Sequence, residues 1–294
     1  MDSGDKRSAK VVLGFLRRHP LVLSLAPVVV LMIGMFIIPL VILLATSFET
    51  FVPGSFVAEP VLTLENYSRA LSPVYMKVLT DTLWVSGVTA VLTVILAYPL
   101  AFYLVRSRSV TRKIVMAFLI TSFFVQLIVR IYAFLQVFGD GGVLNQLLLL
   151  LGFQKAQWLG GWWPIIISMI HQGIPLAVLV QMGSIKTINP ELEYAARSLG
   201  ASDTTTFFKI TVPLSLPGLI ASAVLSFTGA ASAFVTPLLL GNGRVWMVAN
   251  YVYIRFTDVL NYPFGSAMSG ILLVLSLLVA YGTTALLSRY VKVK

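Results

Sequence analysis

Of 294 residues, 58% are hydrophobic and 11% charged, which leaves too little polar surface to coat a soluble particle of this length. A formal charge of +10 would suit a nucleic-acid partner in a soluble protein, but in a chain this apolar a Lys/Arg excess reports the orientation of loops across a membrane, and no nucleic acid is expected. The complete lack of cysteine excludes disulfides, thiolate metal sites and cysteine nucleophiles.

Apolar runs of roughly 20 residues, enough to cross a hydrocarbon core about 30 Å thick, recur at residues 21–47, 78–104, 114–138, 163–183, 217–240 and 264–287. They predict an all-α, polytopic membrane protein of six transmembrane helices, with a basic segment at residues 1–20 and a single transmembrane domain over 21–294. The first run follows a basic stretch and ends near Ala45-Thr46-Ser47, as a signal peptide would. Its length of roughly 27 residues exceeds an h-region of about 7–15, so it is read as an uncleaved span. The polar segment 48–77 is broken at Pro53-Gly54, Pro60 and Pro73. Within it, Leu64, Tyr67 and Leu71 recur at helical spacing, which suits either a short amphipathic helix on the outer face or an irregular loop.

The third run carries Arg130, with Gln126 one turn earlier on the same helical face. An unpaired charge inside a span costs on the order of 2.5–3.5 kcal/mol. Arg130 therefore either snorkels to the outer interface, pairs with an acid such as Asp81 or Asp140, or faces the solute. Residues 139–142 mark a flexible turn, and the apolar stretch 143–151 is too short to span, so an interfacial or re-entrant helix is expected there. Trp158, Trp162 and Trp163 follow, either as interface anchors or as a stacking surface for a ligand. His171 and His19 are too isolated for a metal site, and no metal is expected. In the fifth run Ser222, Ser226 and Ala230, with Gly229 and Ala233 beside them, form a small-residue stripe that suits close helix packing, and it lies where a translocation path could also run.

With six spans both termini lie on one side. That side holds 15 of the 21 Lys and Arg, against Arg69, Lys77, Lys155, Arg244 and Arg255 on the other, so both termini and the loop at about 184–216 are expected to be cytoplasmic. In that loop Asn189-Pro190-Glu191 reads as an N-cap, a proline at the first helical position and an acid at the positive helix end. Leu192, Ala195, Ala196 and Leu199 keep helical spacing, and Gly200 stands where a left-handed cap ends a helix. Ser202 opens a second short helix containing Phe207 and Phe208, which Pro213 and Pro217 are expected to stop. Two short helices joined by a glycine turn suit docking into a partner's groove, with Leu199, Phe207 and Phe208 as anchors, or a loop floating at the headgroups.

The run Glu193-Tyr194-Ala195-Ala196-Arg197-Ser198-Leu199-Gly200, followed after nine residues by Ile210-Thr211-Val212-Pro213, resembles the EAA signature of type I ABC importer permeases. Two positions depart from it: Tyr194 stands at the signature's Glu and Val212 at its Leu. Glu193, one residue earlier, points about 100° away around a helix. Arg130-Ile131-Tyr132-Ala133-Phe134, Gly142-Val143-Leu144-Asn145, the stretch from Ala233-Phe234-Val235 to Gly241, and Asn261-Tyr262-Pro263-Phe264-Gly265 resemble segments of the spermidine/putrescine-type branch, in the same order. The resemblance implies a bacterial inner-membrane, multi-pass permease whose EAA loop couples to a cytoplasmic ABC ATPase dimer. It also implies a second homologous permease subunit and a periplasmic solute-binding protein that delivers a small polar solute, polyamine-like by the branch, with amino acids and opines among the alternatives. Gln126, Arg130, Ser226 and Phe234 are the candidates for the pathway. The chain has no Gly-x-x-x-x-Gly-Lys-Ser/Thr loop, so no enzyme activity is expected of it, and ATP and Mg²⁺ belong to the ATPase. An ion-coupled secondary transporter would also be a helical bundle, but neither an internal repeat nor paired carboxylates within spans are present. An intramembrane enzyme lacks any catalytic set in the spans.

Overall fold

The computed structural model describes residues 20–52 and 61–292. The basic segment before Pro20 with His19, the breaks at Pro53-Gly54 and Pro60, and Lys294 lie outside the described residues. The first helix, α1 (Pro20–Thr46), is apolar all round, as a helix surrounded by lipid must be. At its end Ser47 Oγ donates to Leu44 O at 2.6 Å and pairs with Tyr67 OH at 2.7 Å. Asn66 Nδ2 donates to Ser47 O at 3.1 Å and Glu49 O at 2.8 Å, so a polar clamp joins α1 to α2 (Glu65–Ala70). Of the short helix and the irregular loop that the spacing of Leu64, Tyr67 and Leu71 allows, the structure has the helix.

The centre of the chain is a three-helix packing of α3 (Pro73–Arg106), α7 (Trp162–Lys186) and α11 (Leu216–Ala231). Val85, Ile165, Ile166 and Ala230 fill one layer of it, and Ala97, Leu104, Val178 and Ile185 fill another. The small-residue stripe works inside the chain: Ser222 and Ala230 are buried, and Gln181 Nε2 donates to Ser222 Oγ at 2.9 Å. Gly218 permits the closest approach, because a Cβ there would collide with Ser184 Cβ.

The third span departs from the single helix expected over 114–138. It is two helices, α4 (Val110–Phe124) and α5 (Leu127–Phe138), with extended backbone at Val125 and Gln126 between them. After a turn comes α6 (Val143–Leu150), the short helix expected before the tryptophans. Asn145 holds it in place: its Oδ1 accepts from Ala156 N at 2.9 Å and Trp158 Nε1 at 3.3 Å. Trp162 packs edge-on to Trp84 at 6.0 Å. The fifth span also differs from the expected 217–240, since α11 ends at Ala231 and a separate α12 (Val235–Leu240) follows. At 1.5 Å per residue α11 spans about 24 Å, less than a hydrocarbon core of about 30 Å. The fold closes with α13 (Val248–Thr257) and α14 (Tyr262–Lys292), the latter packing on α1, α2, α11 and α13. Among the described residues five helical stretches are long and apolar enough to cross a membrane, six if the bent stretch through Asp203–Leu214 and Leu216–Ala231 is one span. One of the five is Leu127–Leu150, so the apolar length expected over 114–138 is reached by α5 together with α6 rather than with α4.

Candidate functional site

The loop after α7 builds itself from local signals. Asn189 Oδ1 accepts from Glu191 N at 3.0 Å, opening α8 (Pro190–Ser198) with proline at its first position. Gly200 has φ +89°, and Gly200 N and Ala201 N donate to Arg197 O and Ala196 O at 2.9 and 3.0 Å, which satisfies carbonyls the helix end would otherwise leave free. Ser202 Oγ then accepts from Thr205 N at 3.2 Å and starts α9 (Asp203–Thr206).

The second half corrects an expectation. Pro213 does not stop the helix. The chain widens into a π turn at Phe207–Thr211 and resumes as α10 (Val212–Leu214), which carries Pro213 as its second residue. The helical direction changes only at Ser215, by 67°.

Side chains of the loop divide between two faces. Tyr194, Leu199 and Phe208 are exposed, as are Leu192 and Ala195, while Ala196, Ile210 and Pro213 are half-buried. A large apolar side chain such as Leu199, 89% exposed, has nothing to cover it among the described residues. Phe207, grouped above with the outward anchors, turns the other way. Its ring lies 5.5 Å from Tyr98 and 5.1 Å from Phe102, edge-on to both, and so pins the loop to α3.

Glu193 also faces the bundle. It is 6% exposed, and its Oε1 accepts from Arg106 Nη2 at 2.8 Å and from Thr211 Oγ1 at 3.0 Å. Arg106 had no assigned role in the sequence, since 87 residues separate it from Glu193 and only its position at the end of a span hinted at one.

A second feature is a cavity of about 280 Å³ among α3, α5, α7 and α11, with Thr89, Arg130, Gln172 and Ser226 as its polar lining. Arg130 and Ser226 therefore come together, and the other two pathway candidates do not join them. Gln126 sits in the extended break, exposed, and does not share a helical face with Arg130, because α5 begins only at Leu127. Phe234 lies in the turn between α11 and α12, stacked on Tyr253 at 5.2 Å.

Arg130 is 6% exposed and pairs with neither acid considered above; Asp81 pairs with Lys77 at 3.1 Å. Its Nη2 instead donates to Ser122 O at 2.6 Å and Val125 O at 3.2 Å. The guanidinium thus satisfies carbonyls that end α4, at the point where the span breaks.

The family described as binding-protein-dependent transport system inner membrane component matches residues 90–293. Among curated proteins, the spermidine/putrescine transport system permease protein PotB of Haemophilus influenzae is 31% identical over 263 residues, covering 88% of this chain and 92% of that one. The protein of the same name from Escherichia coli K12 is 32% identical over 262 residues, covering 87% and 95%. Among solved structures, a chain of a bacterial ABC transporter involved in the import of the acidic polysaccharide alginate superposes with a TM-score of 0.79 at 18% identity, covering 95% of this chain and 98% of that one. At that identity the likeness is one of fold.

Proposed function

Since the chain belongs to the binding-protein-dependent transport system inner membrane components and is the inner-membrane permease of an ABC importer, we propose that it works through the Asn189–Pro213 loop, which docks on a cytoplasmic ABC ATPase dimer. The observation that carries this reading is the division of the loop's faces: Glu193 and Phe207 hold it to the spans, while Tyr194, Leu199 and Phe208 leave an apolar face bare. A face of that kind needs a groove to cover it. In this reading the loop and both termini are cytoplasmic, ATP and Mg²⁺ reside on the ATPase, a second permease completes the pathway, and a periplasmic binding protein delivers the solute.

The solute follows from the relatives' names: we extend spermidine/putrescine-type transport to this chain. The cavity contributes Thr89, Gln172, Ser226 and Arg130 but no carboxylate, so the charge that balances a polyamine comes from the second permease. The same lining supports a second reading, a solute with a carboxylate of its own, such as an amino acid or an opine.

Two measurements test these readings. Ala196→Asp, which places a charge at the half-buried edge of the docking face, should weaken copurification of the ATPase while the permease still reaches the membrane. Normal retention of the ATPase by that variant refutes the docking reading. A thermal-shift screen of the cognate binding protein against putrescine, spermidine and amino acids separates the two solutes.

A further inference from the structure

The carboxylate of Glu193 is placed where the docking face cannot use it. Its neighbour Tyr194 is exposed, whereas Glu193 and Thr211 are 6% and 1% exposed. One oxygen, Oε1, collects Arg106 Nη2 at 2.8 Å and Thr211 Oγ1 at 3.0 Å. The same Nη2 reaches Ile188 O at 3.4 Å, just past the end of α7. Four pieces of chain therefore meet at one buried charge: the last turn of α3, the exit of α7, the docking helix α8 and the π turn that leads through α10 into α11.

The choice of residues decides what such a junction can do. Exposed ion pairs on the same loop, such as Arg197 with Asp203 at 3.0 Å, are worth little because water replaces either partner. The Arg106–Glu193 pair, whose side chains are 20% and 8% exposed, resists separation more, because losing the arginine strands the buried carboxylate as an uncompensated charge. The π turn contributes by changing the helical register at its end, and Thr211 is its last residue.

We propose that Glu193 is a positioning residue, and that the Glu193–Arg106–Thr211 junction fastens the docking helix to α3 and to the π turn that leads into α11, so that these move as one body. This rests on the reading of the loop as the ATPase-docking element. It goes beyond that reading by assigning the mechanical connection to one carboxylate that the docking surface does not contain.

The test uses the full transporter complex in nanodiscs. The cysteine-free chain accepts spin-labelled cysteines at Arg108 and Ser198, exposed sites beside α3 and on α8. The expected result is a narrow distance distribution between the labels that ATP leaves unchanged. Glu193→Gln should broaden it and lower solute uptake per ATP hydrolysed by about tenfold. Arg106→Lys, which keeps the charge, should restore most of what Arg106→Gln loses. If Glu193→Gln does not reach the membrane, Thr211→Val removes a hydroxyl at nearly constant volume and should show the same broadening.

A distribution that stays narrow in Glu193→Gln or Thr211→Val, with uptake per ATP at the wild-type value, overturns the proposal. So does equal impairment by Arg106→Lys and Arg106→Gln, which would mean that packing rather than charge holds the junction. ATPase retention by Ala196→Asp tests the docking reading separately, since the label distance reports the junction whether or not that retention fails.

Discussion

Gly200 offers the most direct test of the loop's geometry. Its φ of +89° lies in the left-handed region, and no atom lies within 4 Å of where a Cβ would stand. Substitution therefore meets no collision, and the whole effect comes from the backbone. For a residue other than glycine that conformation costs roughly 1–2 kcal/mol, with a β-branched side chain at the upper end. Valine can avoid the cost by opening the bonds from Gly200 N to Arg197 O and from Ala201 N to Ala196 O, which unfixes α8 relative to α9. Holding the loop in its docked form then lowers ATPase affinity by a factor of roughly 5–30, the range equivalent to 1–2 kcal/mol. The assay is titration of the ATPase against permease in nanodiscs, together with solute-stimulated ATP hydrolysis and uptake, which should fall in parallel. Gly200→Asn is the control, because asparagine tolerates the left-handed region and should stay near wild type. Normal affinity and uptake in a correctly inserted Gly200→Val would refute the reasoning. An Asn variant as impaired as Val would show that φ is not the cause.

Three more outcomes follow from the structure. Single cysteines at Arg108 and Lys186 should be shielded from an impermeant thiol reagent in intact cells while those at Lys155 and Asn242 react, and labelling at Lys186 from outside would reverse the proposed topology. Arg130→Ala leaves Ser122 O and Val125 O without their donor, at about 1–3 kcal/mol for each carbonyl left unpaired. The midpoint of denaturant unfolding should drop; an unchanged midpoint with a raised KM for uptake would instead make Arg130 a solute contact. Phe207→Ala should lower the same midpoint, because its ring packs on Tyr98 and Phe102, whereas Phe208→Ser should spare it and weaken ATPase retention; the reverse pattern would mean that the two faces have been misassigned.

Signals confined to a few consecutive residues are legible in the sequence. Asn189, Ser202 and Gly200 do what their side chains, or the lack of one, dispose them to do, and the apolar runs are helices wherever a single element fills them. What the sequence concealed depends on partners far along the chain. No proline or glycine marks the break at Val125-Gln126; it persists because Arg130 returns to supply the carbonyls there. The inward turn of Phe207 depends on the π turn, whose wider register no periodicity announced. The angle between neighbouring helical residues separates Glu193 from the signature's carboxylate position, but neither its burial nor its partnership with Arg106 follows from the sequence. Gln126 shows how such an argument fails: a shared face assumed one continuous helix, and the helix starts one residue too late.

The interruptions in the third and fifth spans also bear on where lipid can lie. Acyl chains offer backbone N–H and C=O groups nothing to bond with, so non-helical chain at membrane depth survives only against protein or water. Both gaps, at Val125-Gln126 and at residues 232–234, flank helices that line the same cavity. Wherever such a gap lies at membrane depth, its backbone has to face protein or water rather than acyl chains. The exposed apolar side chains of α1 between Val28 and Leu44, and Leu273, Val274, Leu277 and Leu278 on α14, are where hydrocarbon can rest. The two discontinuities thus mark, on the circumference of the chain, the places where protein or water has to stand in for acyl chains.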